Sequence, residues 1–573
     1  MTRSSILCVL VLVAACSDDD AGSDAGTAET SGTGGAAGRA GTAGAGGAGG
    51  SRAGNGGGGS AGLMAAGAGG EGGGSAGDAS VAEPDAGLGG MLTVTSVEPA
   101  ARSIDAATTA PIVIHFDRPV DRASVSAQSL WAFGRWSGPV RDGEYAFSDG
   151  DRSVTLTPPR AWTAGDRVTV VLSHALAGAD GTNLRAAGYS FHFSTATVSS
   201  AMSFSELDRM STRDEGGAGP RTQSYGGAAA DLDGDGFLDL MIVNEVSADL
   251  RIFMNAGDGT GAFESFTTAS IVPLGQRASP SDTTDFNGDG IVDLVVANLD
   301  ANSLSIVFGN GDGTLTKSQD LDVAGEPRGV AVADIDGDGD VDVINTNANG
   351  DNMSILVNDG SGQFAEAGDD AFFDAGHGVE MVHREFGLGA GDMDEDAILD
   401  LVIGAHGMAQ MGSGVAINRG EGDGSFSFTS LQAPQTRPWQ LAIGDLNGDG
   451  HEDVATADGA LSNASPDSIT VLLGDGAGNA SAQQSYTQDI AQPFAIDLGD
   501  LDGDSDLDVV VSNYGGDWQI LENDGNGTIA FARTVSADLA ASCAILLDID
   551  NDGDLDAALI DEIEDVLVIM RQQ

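Results

Sequence analysis

Short runs of alternating apolar and polar residues dominate the chain beyond residue 90, and clusters of turn residues separate them. Between residues 91 and 198 the runs include LTVTSVEP, PIVIHFDRPV and DRVTVVLSH, with Gly, Pro and Asp between them. Alternation with a period of two residues indicates half-buried strands. The pattern therefore predicts an all-β protein, with a β-sandwich over residues 91–198.

The first 90 residues have a different pattern. Residues 1–15 contain one Arg followed by the apolar run ILCVLVLVAA, which is too short for a membrane helix and typical of a signal peptide. Residues 16–90 are mainly Gly, Ala, Ser and Thr, a composition that cannot bury enough apolar surface to fold. We predict a signal peptide over 1–15 and a disordered tether over 16–90. The sequence Val-Ala-Ala-Cys that ends at Cys16 resembles a lipobox, and this resemblance implies that Cys16 is lipidated.

An acidic motif of nine residues occurs seven times beyond residue 200. In chain order we call its copies loops 1 to 7, and they span 231–239, 285–293, 334–342, 392–400, 445–453, 500–508 and 548–556. Their first aspartates are 48 to 58 residues apart. A repeat of this period predicts a propeller or another repeat array.

Each loop places Asp or Asn at positions 1, 3, 5 and 9, and usually Gly at position 6. Oxygen ligands at this spacing suit Ca²⁺ better than Mg²⁺, which demands strict octahedral geometry. We predict that these side chains and the carbonyl of position 7 bind up to seven Ca²⁺ ions. The predicted ligands are Asp231, Asp233, Asp235, Phe237, Asp239, Asp285, Asn287, Asp289, Ile291, Asp293, Asp334, Asp336, Asp338, Asp340, Asp342, Asp392, Asp394, Asp396, Ile398, Asp400, Asp445, Asn447, Asp449, His451, Asp453, Asp500, Asp502, Asp504, Asp506, Asp508, Asp548, Asp550, Asp552, Asp554 and Asp556.

Loops 4 and 6 depart from the pattern at position 6, where Ala397 and Ser505 replace Gly. A left-handed turn costs a residue with a Cβ about 1–2 kcal/mol. We therefore expect weaker ion binding at 392–400 and 500–508.

An EF-hand begins with a similar loop but requires Glu at position 12. The corresponding residues here are Ile242, Val296, Asn345, Ile403, Thr456, Val511 and Leu559. The segments on either side of each loop have the pattern of strands rather than helices. The loops are therefore predicted to join adjacent strands.

The motif, its strand context and its period together resemble FG-GAP or VCBS repeats, the family that includes the integrin α-subunit propeller. The resemblance implies a seven-bladed β-propeller over 199–573, with four strands in each blade. The last blade lacks an outer strand, and residues 202–210 are predicted to supply it. Residues 91–198, with FDRPV at 116–120 and YSFHFST at 189–195, resemble a bacterial Ig-like domain of the kind found in surface-layer proteins, which implies a spacer.

Three other features concern single residues. An insertion between loops 3 and 4, at residues 369–389, contains His377 and His383, and His406 follows loop 4. A transition-metal site formed by these three residues is an alternative to ordinary exposed histidines. Trp131 and Trp136 are expected to pack in a core rather than to face a ligand. Cys543 is expected to be a small buried residue.

Charge and motifs limit the possible functions. The formal net charge of −63 repels phosphate backbones, so we expect no nucleic-acid partner. Motifs of common hydrolases are absent from the sequence, so we expect no catalytic residues and no enzyme activity. The leading hypothesis is a monomeric, calcium-stabilised extracellular binding or adhesion module for an unknown protein or glycan. The lipid on Cys16 would be its only membrane contact and would hold it in the cell envelope, at the cell surface or facing the periplasm. Two alternatives remain: a propeller-face hydrolase or lyase acting on polysaccharide, and a purely structural envelope protein.

Overall fold

A computed structural model describes residues 90–349, 352–366, 372–373, 383–407, 413–432, 437–459 and 466–573. The predicted signal peptide, Cys16 and nearly all of the predicted tether lie outside these residues, as does His377. The described chain is almost entirely strand and turn, with short 3₁₀ helices at Arg122–Ser124, Glu215–Gly217 and Thr268–Ser270. No helix in the described part is long and apolar enough to cross a membrane.

The first domain is a sandwich of two antiparallel sheets of four strands each, as its alternating pattern predicts. The first sheet has the order β1-β2-β6-β5 and contains β1 (Val94–Glu98), β2 (Ile112–Phe116), β5 (Glu144–Ser148) and β6 (Ser153–Thr157). The second has the order β4-β3-β7-β8 and contains β3 (Leu130–Gly134), β4 (Gly138–Val140), β7 (Arg167–Leu172) and β8 (Tyr189–Ser194). Apolar residues of both sheets, such as Ile114 and Val170, are buried in one core.

Strand β9 (Ser205–Ser211) follows the sandwich, and seven antiparallel sheets account for the other described strands. Sheets 1 to 3 consist of β10 (Ser224–Ala230), β11 (Asp239–Asn244), β12 (Asp249–Phe253) and β13 (Ile271–Pro273); β14 (Ala278–Thr284), β15 (Asp293–Asn298), β16 (Ser303–Gly309) and β17 (Leu315–Asp322); and β18 (Pro327–Ala333), β19 (Asp342–Asn347), β20 (Asn352–Asn358) and β21 (Phe364–Glu366), with β22 (Phe372–Phe373) also paired to β20.

Sheets 4 to 7 repeat the same order. They consist of β23 (His383–Gly391), β24 (Asp400–Gly407), β25 (Gly414–Gly420) and β26 (Phe426–Gln432); β27 (Pro438–Gly444), β28 (Asp453–Asp458), β29 (Ser468–Gly474) and β30 (Ala480–Tyr486); β31 (Pro493–Gly499), β32 (Asp508–Asn513), β33 (Asp517–Asn523) and β34 (Ile529–Ser536); and β35 (Ala541–Leu547), β36 (Asp556–Asp561) and β37 (Val566–Arg571), which β9 completes.

The sheets form a closed ring. The first strands of successive sheets contact each other, and β35 also contacts β10. Strand β9 pairs with β37 in antiparallel register, from Ser211 opposite Val566 to Ser205 opposite Arg571. The N-terminal strand therefore completes the last sheet, as the sequence predicts, and covers the edge of β37 that would otherwise be open.

Burial follows strand position within each sheet. All six residues of the second strand β11 are buried, as are those of β15 and β19, because neighbouring sheets cover both faces. The fourth strand β17 instead alternates between exposed and partly buried residues along most of its length. The core of the ring therefore lies between adjacent sheets.

The sandwich packs on the end of the ring that carries the acidic loops. Trp131 donates from Nε1 to the carbonyl of Gly339 in loop 3 at 3.0 Å, and Trp136 belongs to an apolar cluster with propeller residues such as Leu546. Both tryptophans are almost fully buried, so they pack between the two domains. This docking differs from the spacer implied by the family resemblance, because hydrogen bonds and apolar contacts such as these hold the sandwich on the loops.

An axial cavity of about 460 Å³ remains where the domains meet. The sandwich lines it with Arg102, Arg135, Arg167 and His192, and the first strands of the propeller sheets line the rest. Cys543 on β35 reaches this cavity, where burial raises the pKa of its thiol to about 12. It is a free cysteine.

Candidate metal centres and their interface with the sandwich

Each acidic loop joins the first strand of a propeller sheet to the second. Loop 1 shows how its aspartates fold the chain. Asp231 accepts the N–H of Gly234 on Oδ1 at 2.8 Å and that of Gly236 on Oδ2 at 3.1 Å. These bonds close a tight turn that only a short acceptor side chain at position 1 can make. The carboxylates are thus held close together by the backbone before any ligand is considered.

The last aspartate of each loop anchors it to the sheet. In loop 1, Asp239 accepts the N–H of Leu232 at 3.0 Å and the N–H of Asn255 at 2.8 Å. Burial, with smaller contributions from the charges of Asp233 and Asp231, raises the pKa of Asp239 to about 7. The equivalent aspartates of the other six loops are shifted in the same direction, again chiefly by burial, as shown by Asp293, Asp342, Asp400, Asp453, Asp508 and Asp556. Without a cation, the loops therefore hold carboxylates that resist ionisation.

Five loops bring three carboxylates together, with one oxygen of each residue within 4.8 Å of the others. In four of them the residues occupy positions 1, 3 and 9, and in loop 6 they occupy positions 1, 3 and 5. The sets are Asp231, Asp233 and Asp239; Asp334, Asp336 and Asp342; Asp392, Asp394 and Asp400; Asp500, Asp502 and Asp504; and Asp548, Asp550 and Asp556. Loops 2 and 5 carry Asn287 and Asn447 at position 3. The individual ligand assignments, including the carbonyls of position 7, remain predictions.

The residues fit a calcium ion. Several buried carboxylate oxygens in the loops have no hydrogen-bond partner, namely Oδ1 of Asp392, Asp394, Asp506, Asp550 and Asp554. A buried charged oxygen without a partner is costly unless a cation compensates it. Oxygen-only donors in a flexible loop match the preference of Ca²⁺.

Loops 4 and 6 contain the strained turns that the sequence predicts. Ala397 has φ 59° and Ser505 has φ 73°, and in loop 4 Glu395 also has φ 59°. Loop 4 differs further because Arg419 contacts Asp394 at 2.9 Å and Asp396 at 2.6 Å. A fixed guanidinium at this loop adds an electrostatic reason for weak ion binding to the strain.

Neighbouring sheets support the loops through side chains that the sequence analysis did not identify. An amide at the end of a third strand donates to the carbonyl of loop position 2 in the preceding sheet, at 2.8–2.9 Å. The pairs are Asn255 to Ile549, Asn358 to Phe286, Asn523 to Leu446 and Gln572 to Leu501. The Asn that recurs just before the Gly-containing turns was a signal for the first three.

Arginines of the sandwich contact the first aspartate of three loops. Arg141 donates from Nε to Oδ2 of Asp285 at 3.0 Å, and Arg102 donates to Oδ2 of Asp392 at 2.9 Å. Arg160 pairs with Asp231 in the same way. Nothing in the sequence pattern distinguished these arginines from others in the sandwich.

The sandwich also binds the loop backbone. The N–H of His174 donates to the carbonyl of Gly337, that of Ser190 to Ala397, and that of Val198, in the linker after the sandwich, to Gly553, at 2.7–3.0 Å. These carbonyls lie in loops 3, 4 and 7. The interface therefore depends on the shape of the loops as well as on their charge.

A buried group formed by Glu452 of loop 5 with His192 and Arg167 of the sandwich completes the interface. Glu452 lies 3.0 Å from Nε2 of His192 and 3.7 Å from Arg167. Burial alone would raise the pKa of Glu452, but His192, Arg167 and Arg102 hold it at about 2. Because burial lowers the pKa of His192, Arg167 is the charged partner of Glu452 across the two domains.

The three-histidine alternative is not tested. His377 and the side chains of His383 and His406 lie outside the described residues, although the backbones of the last two belong to β23 and β24.

Family models match both domains. An FG-GAP-like repeat matches residues 285–345, 392–456 and 500–559, and a bacterial Ig-like domain matches residues 90–195. A comparison with curated protein sequences gives no match.

Solved structures resemble the fold at low sequence identity. BBS1N in complex with ARL6DN is 13% identical with a TM-score of 0.44, covering 66% of this chain and 98% of that chain. A putative 6-phosphogluconolactonase from Bacteroides uniformis is 11% identical with a TM-score of 0.41, covering 73% and 99%. The periplasmic gluconolactonase PpgL of Pseudomonas aeruginosa is 14% identical with a TM-score of 0.35, covering 72% and 98%. Similarity at this level carries no argument about function.

Proposed function

Because the chain combines FG-GAP-like repeats with a bacterial Ig-like domain, we propose that it is a calcium-stabilised binding module of the cell envelope and has no catalytic activity. The observation that carries the proposal is the convergence of three carboxylates in each of five loops, together with buried carboxylate oxygens that lack a partner. The calcium ions would be structural, because the loops join strands within the ring and contact the sandwich.

Calcium would contribute a large part of the stability. A site filled at ten times its Kd adds about 1.4 kcal/mol, so seven sites together add on the order of 10 kcal/mol. That amount is comparable to the whole stability of an ordinary domain. The chain has little other reinforcement, since removal of the predicted signal peptide would leave only Cys16 and Cys543 and no internal disulfide.

Attachment to the envelope follows from Cys16 and the segment after it. The lipobox-like sequence would place the lipid at the start of the mature chain. Some 74 residues of Gly-rich coil would then span roughly 45–50 Å, enough to hold the folded domains away from a membrane. Incorporation of labelled palmitate into the wild type, but not into Cys16→Ser, supports the anchor; equal labelling of both contradicts it.

Binding is tested on the purified mature chain with arrays of glycans and matrix proteins, in calcium and in EDTA. The proposal predicts a ligand that is bound in calcium and lost when EDTA unfolds the loops. A panel of polysaccharide hydrolase and lyase substrates, run in parallel, should show no turnover. Turnover, or the same binding in EDTA as in calcium, would contradict the proposal.

A further inference from the structure

The first strand of every propeller sheet has an irregularity at its start, at the end remote from its acidic loop. The register with the second strand shifts at Ser224/Gly226, Ala278/Ser281, Pro327/Gly329, Glu385/Leu388, Pro438/Gln440, Pro493/Ala495 and Ala541/Cys543. Bulges of this kind redirect side chains and are common beside binding sites. A strand of seven residues spans roughly 20 Å, so these bulges lie at the opposite end of the first strands from the loops.

Among the bulged residues whose side chains the structure describes, Tyr225, Trp439 and Phe494 are aromatic, and they meet at this end of the ring. The rings of Tyr225 and Phe494 are 5.1 Å apart at their centroids, and those of Trp439 and Phe494 are 6.3 Å apart. Tyr514, which follows β32, adds a fourth ring at 5.8 Å from Phe494. All four side chains are half-buried. We call Tyr225, Trp439, Phe494 and Tyr514 the aromatic platform.

Two buried carboxylates lie beside the aromatic platform. Nε2 of Gln223 donates to Glu245 at 3.0 Å and to Glu562 at 2.8 Å, so the two carboxylates share one donor. The hydroxyl of Tyr514 donates to Glu562 at 3.1 Å. Glu245 is 7% exposed and Glu562 is 3% exposed, and Oε2 of Glu562 has no hydrogen-bond partner. Neither carboxylate belongs to an acidic loop.

The electrostatics of the pair suit a neutral ligand. Burial, and then the charge of Glu245, raises the pKa of Glu562 to about 7, so protonation limits the charge of the pair at neutral pH. Arg221 lies alongside and donates to the carbonyl of Glu562 at 3.2 Å. The group thus offers acceptors, an amide and a guanidinium next to half-buried aromatic rings.

We propose that the aromatic platform and the Gln223, Glu245 and Glu562 group bind a neutral saccharide. Sugar rings present apolar C–H faces and a rim of hydroxyls, which match partly exposed aromatic rings bordered by both donors and acceptors. A polyanionic ligand is disfavoured because the chain has a formal charge of −63. This inference names the ligand class of the proposed binding module and therefore depends on that function.

Isothermal titration calorimetry tests it with four hexasaccharides: the β-1,4-linked oligomers of glucose, xylose and N-acetylglucosamine, and the α-1,4-linked oligomer of glucose. We expect the wild type in calcium to bind at least one of them. Phe494→Ala and Trp439→Ala should each weaken that binding at least tenfold. Phe494→Leu nearly conserves apolar volume but removes the aromatic ring, and it should weaken binding as well. This variant replaces Phe494→Ala in the test if Phe494→Ala does not fold. The control is Phe531→Ala. Phe531 lies on the outer strand β34 and is 45% exposed, and its replacement should leave the affinity unchanged.

Two results would overturn the saccharide inference. The first is that the wild type binds none of the four oligomers at about 10 mM ligand, on the order of the weakest affinities that the titration detects. The second is that the platform variants and the wild type bind with equal affinity. Either result, obtained with protein that contains calcium and loses stability in EDTA, would leave the proposed calcium-stabilised module intact. A protein without calcium would instead contradict the proposed function itself.

Discussion

Replacing Arg141 with Ala tests whether the sandwich and a calcium ion share the same carboxylate. The Arg141 guanidinium donates to Asp285 at 3.0 Å and lies 3.6 Å over the ring of Trp131. Its side chain is 10% exposed, and that of Asp285 is fully buried. Arg141→Ala therefore leaves a buried carboxylate without its guanidinium partner in the calcium-free protein.

The loss of unfolding free energy caused by Arg141→Ala depends on whether calcium is bound. Removing one partner of a buried ion pair costs about 3–5 kcal/mol, and we expect about 4 kcal/mol for Arg141→Ala in EDTA. With calcium in loop 2, the ion compensates Asp285, and the loss is mainly that of the cation–π contact, about 2 kcal/mol. The difference of about 2 kcal/mol is a coupling energy and must appear reciprocally as a roughly thirtyfold tighter calcium affinity of loop 2 in the variant.

Urea unfolding of the wild type and Arg141→Ala, each in EDTA and in saturating calcium, gives the four free energies of unfolding from which this coupling energy is calculated. Arg122→Ala is the matched control, since Arg122 pairs with Asp151 on the surface of the sandwich with its side chain 61% exposed. It should cost less than about 1 kcal/mol in both conditions. Equal destabilisation by Arg141→Ala in EDTA and in calcium would refute a shared carboxylate.

Three further predictions concern the ring and its loops. In EDTA, the melting temperature should fall as the pH rises from about 4 to about 8, because the raised pKa values of the loop aspartates make the folded state bind more protons than the unfolded state in this window. Saturating calcium should remove this trend, and a melting temperature that rises with pH in EDTA would contradict the prediction. Replacing residues 205–211 by a Gly-Ser linker of equal length should lower the free energy of unfolding by about 5 kcal/mol, since the ladder between β9 and β37 contributes about 1 kcal/mol per hydrogen bond. An unchanged calorimetric melt would argue against closure of the ring by β9. Ala397→Gly and Ser505→Gly relieve the strain of positive φ angles, and each should tighten calcium binding severalfold as measured by calorimetry. Weaker binding in both variants would show that strain does not limit the calcium affinity of loops 4 and 6.

Much of the fold followed from local sequence patterns. Period-two alternation identified the strands, and the nonapeptide repeat identified the hairpins that carry the loops. The pairing of β9 with β37 could be predicted because a ring with one missing outer strand and one surplus strand has a single economical solution. The positive φ of Ala397 and Ser505 could be predicted because position 6 of the loop requires a left-handed residue.

The relation between the two domains could not be predicted in this way. Arg141 and Asp285 are 144 residues apart in sequence, and no local pattern connects them. The aromatic platform was missed for the same reason: Tyr225, Trp439 and Phe494 belong to three different sheets, and only the closed ring brings them together. The amide of Asn255 reaches loop 7, whose carbonyl lies almost 300 residues away in the chain.

The central claim is that the acidic loops hold calcium and that this calcium maintains the ring. Native mass spectrometry of the purified mature chain, after exchange into buffer with micromolar calcium, counts the bound ions directly. We predict five to seven calcium ions per chain, in accord with the converging carboxylates, and about one fewer in the double variant Asp334→Ala, Asp336→Ala. A wild-type chain that carries no calcium under these conditions would contradict it.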